Sequence, residues 1–331
     1  MNRENIKVGV IGVGHLGKHH ARIYSSLPGV TLVGVADQNL ERGRLIGEQH
    51  QVSVYSDYLH LLEYVDAVSV AVPTSLHGEV VQQCLNQGIH VLVEKPIAST
   101  VEEGRDMVAL GREKGVRLQV GHVERFNPVL DSVRPVLDRP EFIQCNRLAP
   151  YQPRGTDVDV VLDLMIHDLD IVLSWGLGPV TKVNAFGASV MSKHNDFVSA
   201  RIEFGSGCIA EFIASRVSTS RLRNLCVFQP NLYVSADYQT RRGLLCRKVQ
   251  PELGSGRVVE ESFDGGTEDA LTREVDAFLQ SIHQGVPLGV SGEEGLNALE
   301  LAFDVIAGIK QNGNQVEERK PAARAVSIGL S

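Results

Sequence analysis

The segment "KVGVIGVGHLGKHHA", residues 7–21, decides how the first part of the chain folds. Its short run of valine, glycine and isoleucine predicts a buried strand, and the residues after it have a helical pattern. Gly12, Gly14 and Gly17 stand between the two, at the spacing G-x-G-x-x-G. Glycine at these positions permits a tight turn, an approachable backbone and close packing of the helix on the strand. The segment therefore predicts a strand, a tight turn and a helix at the start of an α/β domain.

Short apolar runs alternate with amphipathic segments up to about residue 121. Strands are predicted at 7–12, 30–37, 67–72, 90–95 and 117–121. Helices are predicted at 16–27, 40–50, 57–64, 76–87 and 101–114. The strands are rich in valine and lack strict polar alternation, as strands buried on both faces do. This alternation predicts a Rossmann domain at residues 1–122, an open, doubly wound parallel sheet with helices on both faces.

Longer runs in which apolar and polar residues alternate follow after about residue 123. They predict antiparallel strands with one face on a core, and the "GSG" at 205–207 predicts a hairpin between two of them. Helices are predicted at 160–176, 267–285 and 291–313. We therefore expect residues 123–331 to form an α+β domain, in which a large, mostly antiparallel sheet packs on helices. The C-terminal helix is expected to pack back on the first domain.

Composition and charge limit the function classes to which the chain can belong. Of its 331 residues, 43% are hydrophobic and 22% are charged, and the formal net charge is −8, so no nucleic-acid surface is indicated. The five cysteines are scattered without metal-ligand spacing, which favours a reducing, cytoplasmic compartment and no resident metal. The N-terminus lacks a signal-peptide pattern, and no apolar run approaches the roughly 20 residues of a membrane span. We expect a cytoplasmic protein whose partners are neither nucleic acid nor membrane.

An acidic residue at the end of the second strand gives the glycine pattern a specific interpretation. Asp37 follows Gly17 by 20 residues, where a carboxylate can accept hydrogen bonds from an adenosine ribose. The helix after the glycines would direct unpaired N–H groups and its positive dipole end at phosphates. Together these features predict a dinucleotide site, and Asp37 favours NAD because it would repel the 2′-phosphate of NADP. Arg42 and Arg44 leave NADP open as the less favoured alternative.

Two further strand ends extend the predicted crevice, since ligands bind at the carboxyl ends of strands in doubly wound sheets. They are "VPTSLH", residues 72–77, and "VEKPIAS", residues 93–99. A lysine partly removed from water beside a cofactor can have a lowered pKa and transfer protons, although Glu94 and Lys95 could instead form a surface ion pair. His77 could simply cap or pack. The residues that we assign to the cofactor site are Gly12, Gly14, His15, Leu16, Gly17, Asp37, Pro73, Thr74, His77, Glu94 and Lys95.

The apolar segment "VVLDLMIHDLDIVLSW", residues 160–175, carries four polar residues in an unusual arrangement. On a helix, Asp163, His167 and Asp170 fall at i, i+4 and i+7 and share one narrow stripe, whereas Asp168 points elsewhere. An acid–imidazole stripe with apolar residues on both sides predicts the second domain's half of an active site. The alternative is a helix cap at Asp163 with ordinary surface charges.

Six motifs occur in the order that is typical of one oxidoreductase family. They are "GVIGVGHLGKHHA", the strand end at Asp37, "VPTSLH", "EKP", "VGHVERFNP" and "DLMIHDLD". With them the chain resembles the glucose–fructose oxidoreductase/inositol dehydrogenase/rhizopine catabolism family (Gfo/Idh/MocA). The resemblance extends over nearly the whole chain, including "VSGEEGLNALELA" near its end. It implies NAD-dependent oxidation of a CH–OH group.

The resemblance also implies roles for the residues that match the family's motifs. Lys95 matches a catalytic lysine near the reacting hydroxyl, and Glu94 matches a residue near the nicotinamide ribose. Asp163 and His167 match a pair in which the histidine is the acid/base candidate and the aspartate orients it or the substrate. We favour His167 as the base and Lys95 as a hydrogen-bond donor or relay, and the reverse assignment stays open.

Three further positions bear on this resemblance. Asp170 matches a recurrent aspartate that we take as structural. Many relatives have glycine where Met165 stands, and because Met165 points to the apolar side of the helix, we expect changed packing and unchanged chemistry. His122, in "GHVERFNP", stands where the commoner family form has another residue.

This form of the motif, together with "DLMIHDLD", is most similar to a bacterial branch of the family that oxidises the 3-hydroxyl of UDP-N-acetylglucosamine to a ketone. In that branch a partner aminotransferase converts the ketone to an amine for lipid A precursors. Arg125 and Arg154 could meet the diphosphate, since guanidinium groups suit phosphate oxygens, or they could be ordinary structural arginines. The substrate-binding residues that we assign are Lys95, His122, Arg125, Arg154, Asp163 and His167.

Two alternatives stay open, one among enzymes and one outside them. The chain could oxidise a free sugar, inositol or another polyol, or it could be a non-catalytic dinucleotide-binding regulator. A regulator is expected to lack part of the lysine, aspartate and histidine set, and all three are present here. Relatives associate through the sheet of the second domain, so the resemblance also implies a homo-oligomer, either a dimer or a tetramer.

Overall fold

Parallel strands form the sheet of the first domain. A computed structural model describes residues 5–152, 158–249 and 257–318. Within them, the six strands of this sheet are β1 (Ile6–Ile11), β2 (Val30–Ala36), β3 (Ser53–Tyr55), β4 (Ala67–Val70), β5 (His90–Glu94) and β6 (Leu118–Gly121). They pair in parallel in the order β3-β2-β1-β4-β5-β6. Strands β2 and β3 lie on one side of β1, and β4, β5 and β6 lie on the other. The connections therefore run in opposite directions from β1, and a crevice opens between the carboxyl ends of β1 and β4.

Helices connect these strands. They are α1 (Gly17–Tyr24), α2 (Leu40–His50), α3 (Tyr58–Leu62), α4 (His77–Asn86) and α5 (Val101–Lys114). Local chemistry sets their ends: the side chain of Thr100 accepts a hydrogen bond from the N–H of Glu103 before α5, and Gly115 ends α5 in a left-handed conformation. The predicted doubly wound fold is confirmed. Sequence pattern missed β3, because a three-residue strand at a sheet edge has too few positions to show a period.

A second sheet, of eight strands in the described part of the chain, forms most of the second domain. Its strands are β7 (Phe142–Leu148), β8 (Val180–Ala188), β9 (Phe197–Phe204), β10 (Ile209–Ser215), β11 (Leu222–Gln229), β12 (Leu232–Asp237), β13 (Arg242–Val249) and β14 (Arg257–Asp264). They pair in the order β14-β13-β12-β11-β7-β10-β9-β8, and all pairs are antiparallel except β7 with β10. The prediction of a mostly antiparallel sheet is confirmed. Sequence pattern missed β7 and β14.

Four helices follow the first domain along the chain. They are α6 (Leu130–Val133), α7 (Ile166–Leu173), α8 (Ala270–Gln284) and α9 (Gly292–Glu318). Helices α6, α7 and α9 pack in the core on one face of the second sheet, whereas α8 packs on β1 and α1 of the first domain. A π-helical turn, Val161–Met165, leads into α7, where we predicted one regular helix from 160 to 176. That prediction was wrong in its first turn, and α9 runs past its predicted end at 313. Met165 is 1% exposed and lies in the core beneath the sheet, on the apolar side as predicted.

The long helix α9 packs against both domains. Its Glu293 and Glu300 form ion pairs with Arg112 and Arg105 of α5. Leu299 is buried among side chains of the first sheet, and Val305 is buried in the core under the second. The two sheets therefore share one buttress, which fixes the crevice of the first relative to the helices of the second.

A buried arginine holds α7 on the second sheet. Arg147 of β7 is 2% exposed and donates two hydrogen bonds to Asp168 of α7, from Nε at 2.9 Å and from Nη2 at 2.7 Å. Its Nη1 lies 3.1 Å from Glu124. A buried guanidinium with two carboxylate partners has its charge compensated, and the loss of one partner would leave a buried charge. Asp168 is thus a structural residue, and it points away from His167 as predicted.

Candidate active site

A crevice of about 610 Å³ lies at the carboxyl ends of β1, β2, β4 and β5. We call it the cofactor crevice. Ten of the eleven residues assigned to the cofactor site line it, namely Gly12, Gly14, His15, Leu16, Asp37, Pro73, Thr74, His77, Glu94 and Lys95, and Gly17 lies beneath. Sequence analysis missed Gln38, Ser56 and Tyr58, which also line the crevice. Ser56 and Tyr58 follow β3, so a correct assignment of that strand would have pointed to them.

The glycine turn has the geometry that a pyrophosphate requires. Gly12 has φ +84°, a conformation that favours glycine. A Cβ on Gly17 would collide with the main-chain oxygen of Gly12, so only glycine lets α1 start this close to β1. The described residues supply no side-chain cap to the first turn of α1. The N–H groups of Lys18 and His19 bond back to the main-chain oxygens of Gly14 and Leu16. The approachable glycine backbone before the helix and the positive end of the helix dipole are the features that fit a dinucleotide.

Asp37 presents a fully ionised carboxylate at the wall of the crevice. Its Oδ2 accepts from the N–H of Val13 at 2.9 Å and from Nε of Arg42 at 2.9 Å, and its Oδ1 accepts from Asn39 and from Nη2 of Arg42. Burial alone would raise the pKa of Asp37, but these hydrogen bonds outweigh it and lower the pKa. Arg42, considered above only as an argument for NADP, is thus the direct partner of the carboxylate that favours NAD.

His77 joins two strand-end loops. Its Nδ1 lies 3.0 Å from the main-chain oxygen of Pro96, and its Nε2 lies 3.1 Å from that of Val72. Burial lowers its pKa, although the two carbonyl groups oppose the shift. A neutral ring can donate to only one of these two carbonyl oxygens at a time, but it lies between both, so His77 packs the loop after β4 against the loop after β5.

Lys95 connects the cofactor crevice to the second domain. Its Nζ donates a hydrogen bond to the main-chain oxygen of Asp163 at 2.7 Å and lies 3.7 Å from the Oδ1 of the same residue. Asp163 belongs to the π-helical turn Val161–Met165, so the acceptor is a main-chain oxygen of an irregular stretch of backbone. Burial lowers the pKa of Lys95, and Asp163 and Glu94 oppose the shift only in part. The lysine is therefore well placed for proton transfer at the end of the crevice.

His167 lies next to this contact, with His122 against it. The two rings meet edge to face, with centroids 6.2 Å apart. Nδ1 of His167 is buried, and within the described residues it has no hydrogen-bond partner. Burial, and after it the positive charges of Lys95 and Arg147, lower the pKa of His167 well below its ordinary value. The imidazole is thus neutral near pH 7 and can accept a proton.

Arg125 does not have the free guanidinium that a diphosphate site needs. It is held by Asp170 through Nε at 2.9 Å and by Glu294 through Nη1 at 2.7 Å, and its side chain is 6% exposed. The substrate role predicted for Arg125 is therefore corrected to a structural one, because two carboxylates already satisfy its charge. Asp170, taken as structural from the resemblance, is its partner. Arg154, the other predicted diphosphate contact, lies outside the described residues.

A further arginine, which sequence analysis missed, lies near His167. Arg223 of β11 is the direct cross-strand neighbour of Arg147 and shares Glu124 with it, at 3.3 Å. Its side chain is 34% exposed, whereas that of Arg147 is 2% exposed. Its charge contributes to the lowered pKa of His167. Like charges directly opposite each other on two strands are destabilising, so an anion near Arg223 would be favourable. A single arginine in a strand where polar and apolar residues alternate is not distinguished from an ordinary surface residue by sequence pattern.

The described residues also bear on two other classes of function. Within them, no group of three or more histidine, cysteine, aspartate or glutamate side chains is placed to hold a metal ion. Nor does any helix there have the length and apolar character needed to cross a membrane.

Comparison with known proteins supports both halves of the chain. The model of the Gfo/Idh/MocA oxidoreductase family, NAD-binding Rossmann fold, matches residues 6–122, and that of the Gfo/Idh/MocA C-terminal domain matches residues 142–231. UDP-N-acetylglucosamine 3-dehydrogenase of Acidithiobacillus ferrooxidans is 33% identical over 309 residues, which are 92% of this chain and 98% of that protein. Inositol 2-dehydrogenase of Rhizobium meliloti is 26% identical over 329 residues, with 92% and 97% covered.

A solved structure of UDP-N-acetylglucosamine 3-dehydrogenase from Acidithiobacillus ferrooxidans superimposes with a TM-score of 0.86 at 31% identity. The match covers 93% of this chain and 98% of that one, so the two domains and their junction have the same arrangement.

The pair of Asp37 and Arg42 generates a prediction about the cofactor. Asp37→Ala should shift the preference from NADH toward NADPH by at least about tenfold, since it removes the repelling carboxylate and releases a guanidinium that is 48% exposed. The measurement is the ratio of the two dissociation constants, from nicotinamide fluorescence. The double variant Asp37→Ala/Arg42→Ala is the control and should lose the gain. Equal NADPH affinity in the single and double variants would contradict the prediction.

The enclosed ring of His122 generates a prediction about pH. His122 is fully buried, and burial, followed by the charges of Arg125 and Lys95, lowers its pKa, with Asp170 opposing. The unfolded chain binds a proton near pH 6.5 that the folded chain resists, so stability is lost as the pH falls below that value. His122→Phe should remove up to about 1.4 kcal/mol of the stability difference between pH 7.5 and pH 5.5. Urea unfolding at both pH values measures this difference, and an unchanged difference would refute the prediction.

Proposed function

The chain belongs to the Gfo/Idh/MocA family of NAD-binding oxidoreductases, and on this basis we propose that it oxidises the 3-hydroxyl of UDP-N-acetylglucosamine to a ketone. One observation carries the proposed chemistry. Lys95, at the end of the cofactor crevice, contacts Asp163, and His167 lies four residues further along the same segment. Three groups that can handle a hydroxyl proton thus meet where the crevice reaches the second domain.

The proposed roles follow from the environment of each group. Bound NAD supplies the acceptor for the hydride of the carbinol carbon. His167 takes the hydroxyl proton, because burial keeps its imidazole neutral. Lys95 donates a hydrogen bond to the reacting oxygen, and Asp163 holds the ammonium group in place. The reverse assignment, with Lys95 as the base, is the alternative, since burial also lowers the pKa of Lys95.

The choice of a nucleotide sugar rests on a full-length likeness. The relative from Acidithiobacillus ferrooxidans, whose name states UDP-N-acetylglucosamine 3-dehydrogenase activity, is matched over 98% of its length. Arg223 adds a structural reason: it is half-buried near His167, it shares its carboxylate partner with Arg147, and it can meet a phosphate group. We propose Arg223, in place of Arg125, as a contact of the substrate's diphosphate.

The proposal also covers the roles of the two domains, the assembly of the chain and the reaction that follows. We propose that residues 1–122 bind NAD, and that residues 123–331 bind the sugar and join copies of the chain into a dimer or tetramer in the cytoplasm. The open face of the second sheet supports such assembly, since the rings of Phe142, Phe228 and Tyr233 contact one another there in tilted arrangements and Phe228 is 41% exposed. We propose that an aminotransferase then uses the ketone, as the precursors of lipid A require.

A second candidate is the oxidation of inositol or another free polyol. The inositol 2-dehydrogenase of Rhizobium meliloti matches 97% of its own length, although its identity is lower, at 26%. The two candidate substrates differ in charge. A free polyol has no phosphate group that an arginine near His167 could bind. A non-catalytic regulator is disfavoured, because Lys95, Asp163 and His167 are not only present but adjacent.

Turnover assays test the site and the substrate together. With NAD and UDP-N-acetylglucosamine, the chain should produce NADH, and Lys95→Ala and His167→Ala should each lower kcat at least about 100-fold. Binding of NADH, measured by fluorescence, should survive in both variants and serves as the control for folding. Full activity in both variants would refute the site. Turnover of myo-inositol or free N-acetylglucosamine, with none of the UDP-sugar, would refute the substrate and leave the site standing.

The proposed diphosphate contact has its own test. Arg223→Ala should raise KM for UDP-N-acetylglucosamine by about 10-fold or more and change kcat by less than about threefold, since it removes a charge-assisted hydrogen bond from a non-reacting part of the substrate. Arg201→Ala is the matched control, because Arg201 lies on β9 with its own partner, Glu211. An equal KM in the two variants would exclude Arg223 from the substrate site.

A further inference from the structure

A chain of buried polar side chains lies behind the cofactor crevice and plays no part in the chemistry described above. His20 and Tyr24 come from α1, Ser69 comes from β4, and Glu94 ends β5. His20 and Tyr24 are each 1% exposed, and Ser69 is 0% exposed. Since burying polar groups is costly unless they are hydrogen-bonded, four such groups together call for a reason.

Three hydrogen bonds join these residues in a line. Tyr24 Oη lies 2.8 Å from Ser69 Oγ, Ser69 Oγ lies 2.9 Å from His20 Nδ1, and His20 Nε2 lies 3.1 Å from Glu94 Oε1. The line begins at a phenol and ends at a carboxylate. Burial raises the pKa of Tyr24, so its hydroxyl keeps the proton.

Counting donors gives the line one direction. Tyr24 donates to Ser69, Ser69 donates to Nδ1 of His20, and Nε2–H of His20 donates to Glu94. Every donor then has an acceptor. A doubly protonated His20 would donate to Ser69 from Nδ1. Within this line, either the hydroxyl hydrogen of Ser69 or that of Tyr24 would then have no acceptor. The Nε2–H tautomer is therefore the arrangement in which every donor of the line has an acceptor.

The acceptor at the end of the line lines the cofactor crevice. Glu94 is 8% exposed and borders the crevice next to Lys95. On its other side it pairs with Gly121 of β6, where a Cβ would lie 3.2 Å from Glu94 Oε2. The carboxylate is thus confined between His20 and a bare glycine backbone, so the hydrogen bond from His20 decides how the carboxylate is turned.

We propose that His20 is a positioning residue of the cofactor site, which orients the Glu94 carboxylate toward the crevice, while Tyr24 and Ser69 set the tautomer of His20. Helix α1 begins at Gly17, directly after the glycine turn, and carries His20 as its fourth residue. Helix α1 thereby connects the glycine turn at one end of the cofactor crevice with Glu94 at the end of β5, and it fixes the position of one relative to the other.

The tautomer is tested in the protein without substrate. Nitrogen NMR of histidine-labelled protein should show His20 with a protonated Nε2 and a bare, hydrogen-bonded Nδ1. Ser69→Ala removes the donor to Nδ1 and should allow the Nδ1–H tautomer to appear. Tyr24→Phe should shift the Nδ1 resonance in the same direction as Ser69→Ala does, but by less. A His20 that is protonated on Nδ1 in the unaltered chain would overturn the proposal.

A matched pair of variants tests the effect on the cofactor. The side-chain nitrogen of glutamine reaches about as far as Nε2 of histidine, whereas that of asparagine reaches only as far as Nδ1. His20→Gln should therefore bind NADH within about threefold of the unaltered chain, and His20→Asn should bind it about tenfold more weakly. In a Glu94→Gln background the difference between the two should fall below about threefold.

Thermal unfolding of the same variants separates positioning from folding. The two His20 variants should have similar melting temperatures, since both bury one amide at one site. Equal NADH affinity in both, or an undiminished difference in the Glu94→Gln background, would overturn the proposal. If His20→Asn does not fold, Ser69→Ala decides, with an expected loss of about threefold in NADH affinity and none if the proposal is wrong. These readouts use NADH alone, so they stand whether or not UDP-N-acetylglucosamine is the substrate.

Discussion

The ammonium group of Lys95 lies 2.7 Å from the main-chain oxygen of Asp163, and the rest of the active site depends on this contact. The lysine ends a strand of the parallel sheet, whereas the carbonyl belongs to the second domain. That carbonyl lies in the π-helical turn Val161–Met165, so an irregular stretch of backbone provides the acceptor that joins the two domains at the end of the cofactor crevice.

Compensated charges surround that contact and keep α7 in place. Arg147 holds Asp168, and Arg125 holds Asp170, so the two aspartates that follow His167 on α7 are both used in buried ion pairs. Each pair carries its own counter-charge and does little for a ligand. His167, which precedes both aspartates, has a lowered pKa and an unpartnered Nδ1 within the described residues. The arrangement separates the residues that build the helix from the residue that can exchange a proton, although all lie within a few positions of each other.

The structure brings the residues that were assigned to the cofactor together at one crevice, whereas Arg125, assigned to the substrate, has two carboxylate partners. The glycine turn and Asp37 were found because their spacing follows from one strand, one turn and one helix, which are neighbours along the chain. Ser56 and Tyr58 were missed together with β3, whose three residues show no period. Arg125 was assigned to a diphosphate because the sequence does not show whether the guanidinium group of an arginine in a motif already has a carboxylate partner. Its partners, Asp170 and Glu294, stand 45 and 169 residues away.

The sequence by itself determined the order of buried strands and helices, the doubly wound sheet, the site for NAD and the residues from which proton transfer must be chosen. Those conclusions rest on periodicity and short spacings, which the chain carries locally. Only the tertiary structure decided which charged groups are free, because a long side chain takes its partner from whichever element packs against it. It placed Arg223 opposite Arg147, enclosed His122 and joined His20 to Glu94 across 74 residues. Local sequence pattern identifies the candidate site residues, and tertiary packing decides which of them are free to contact a ligand.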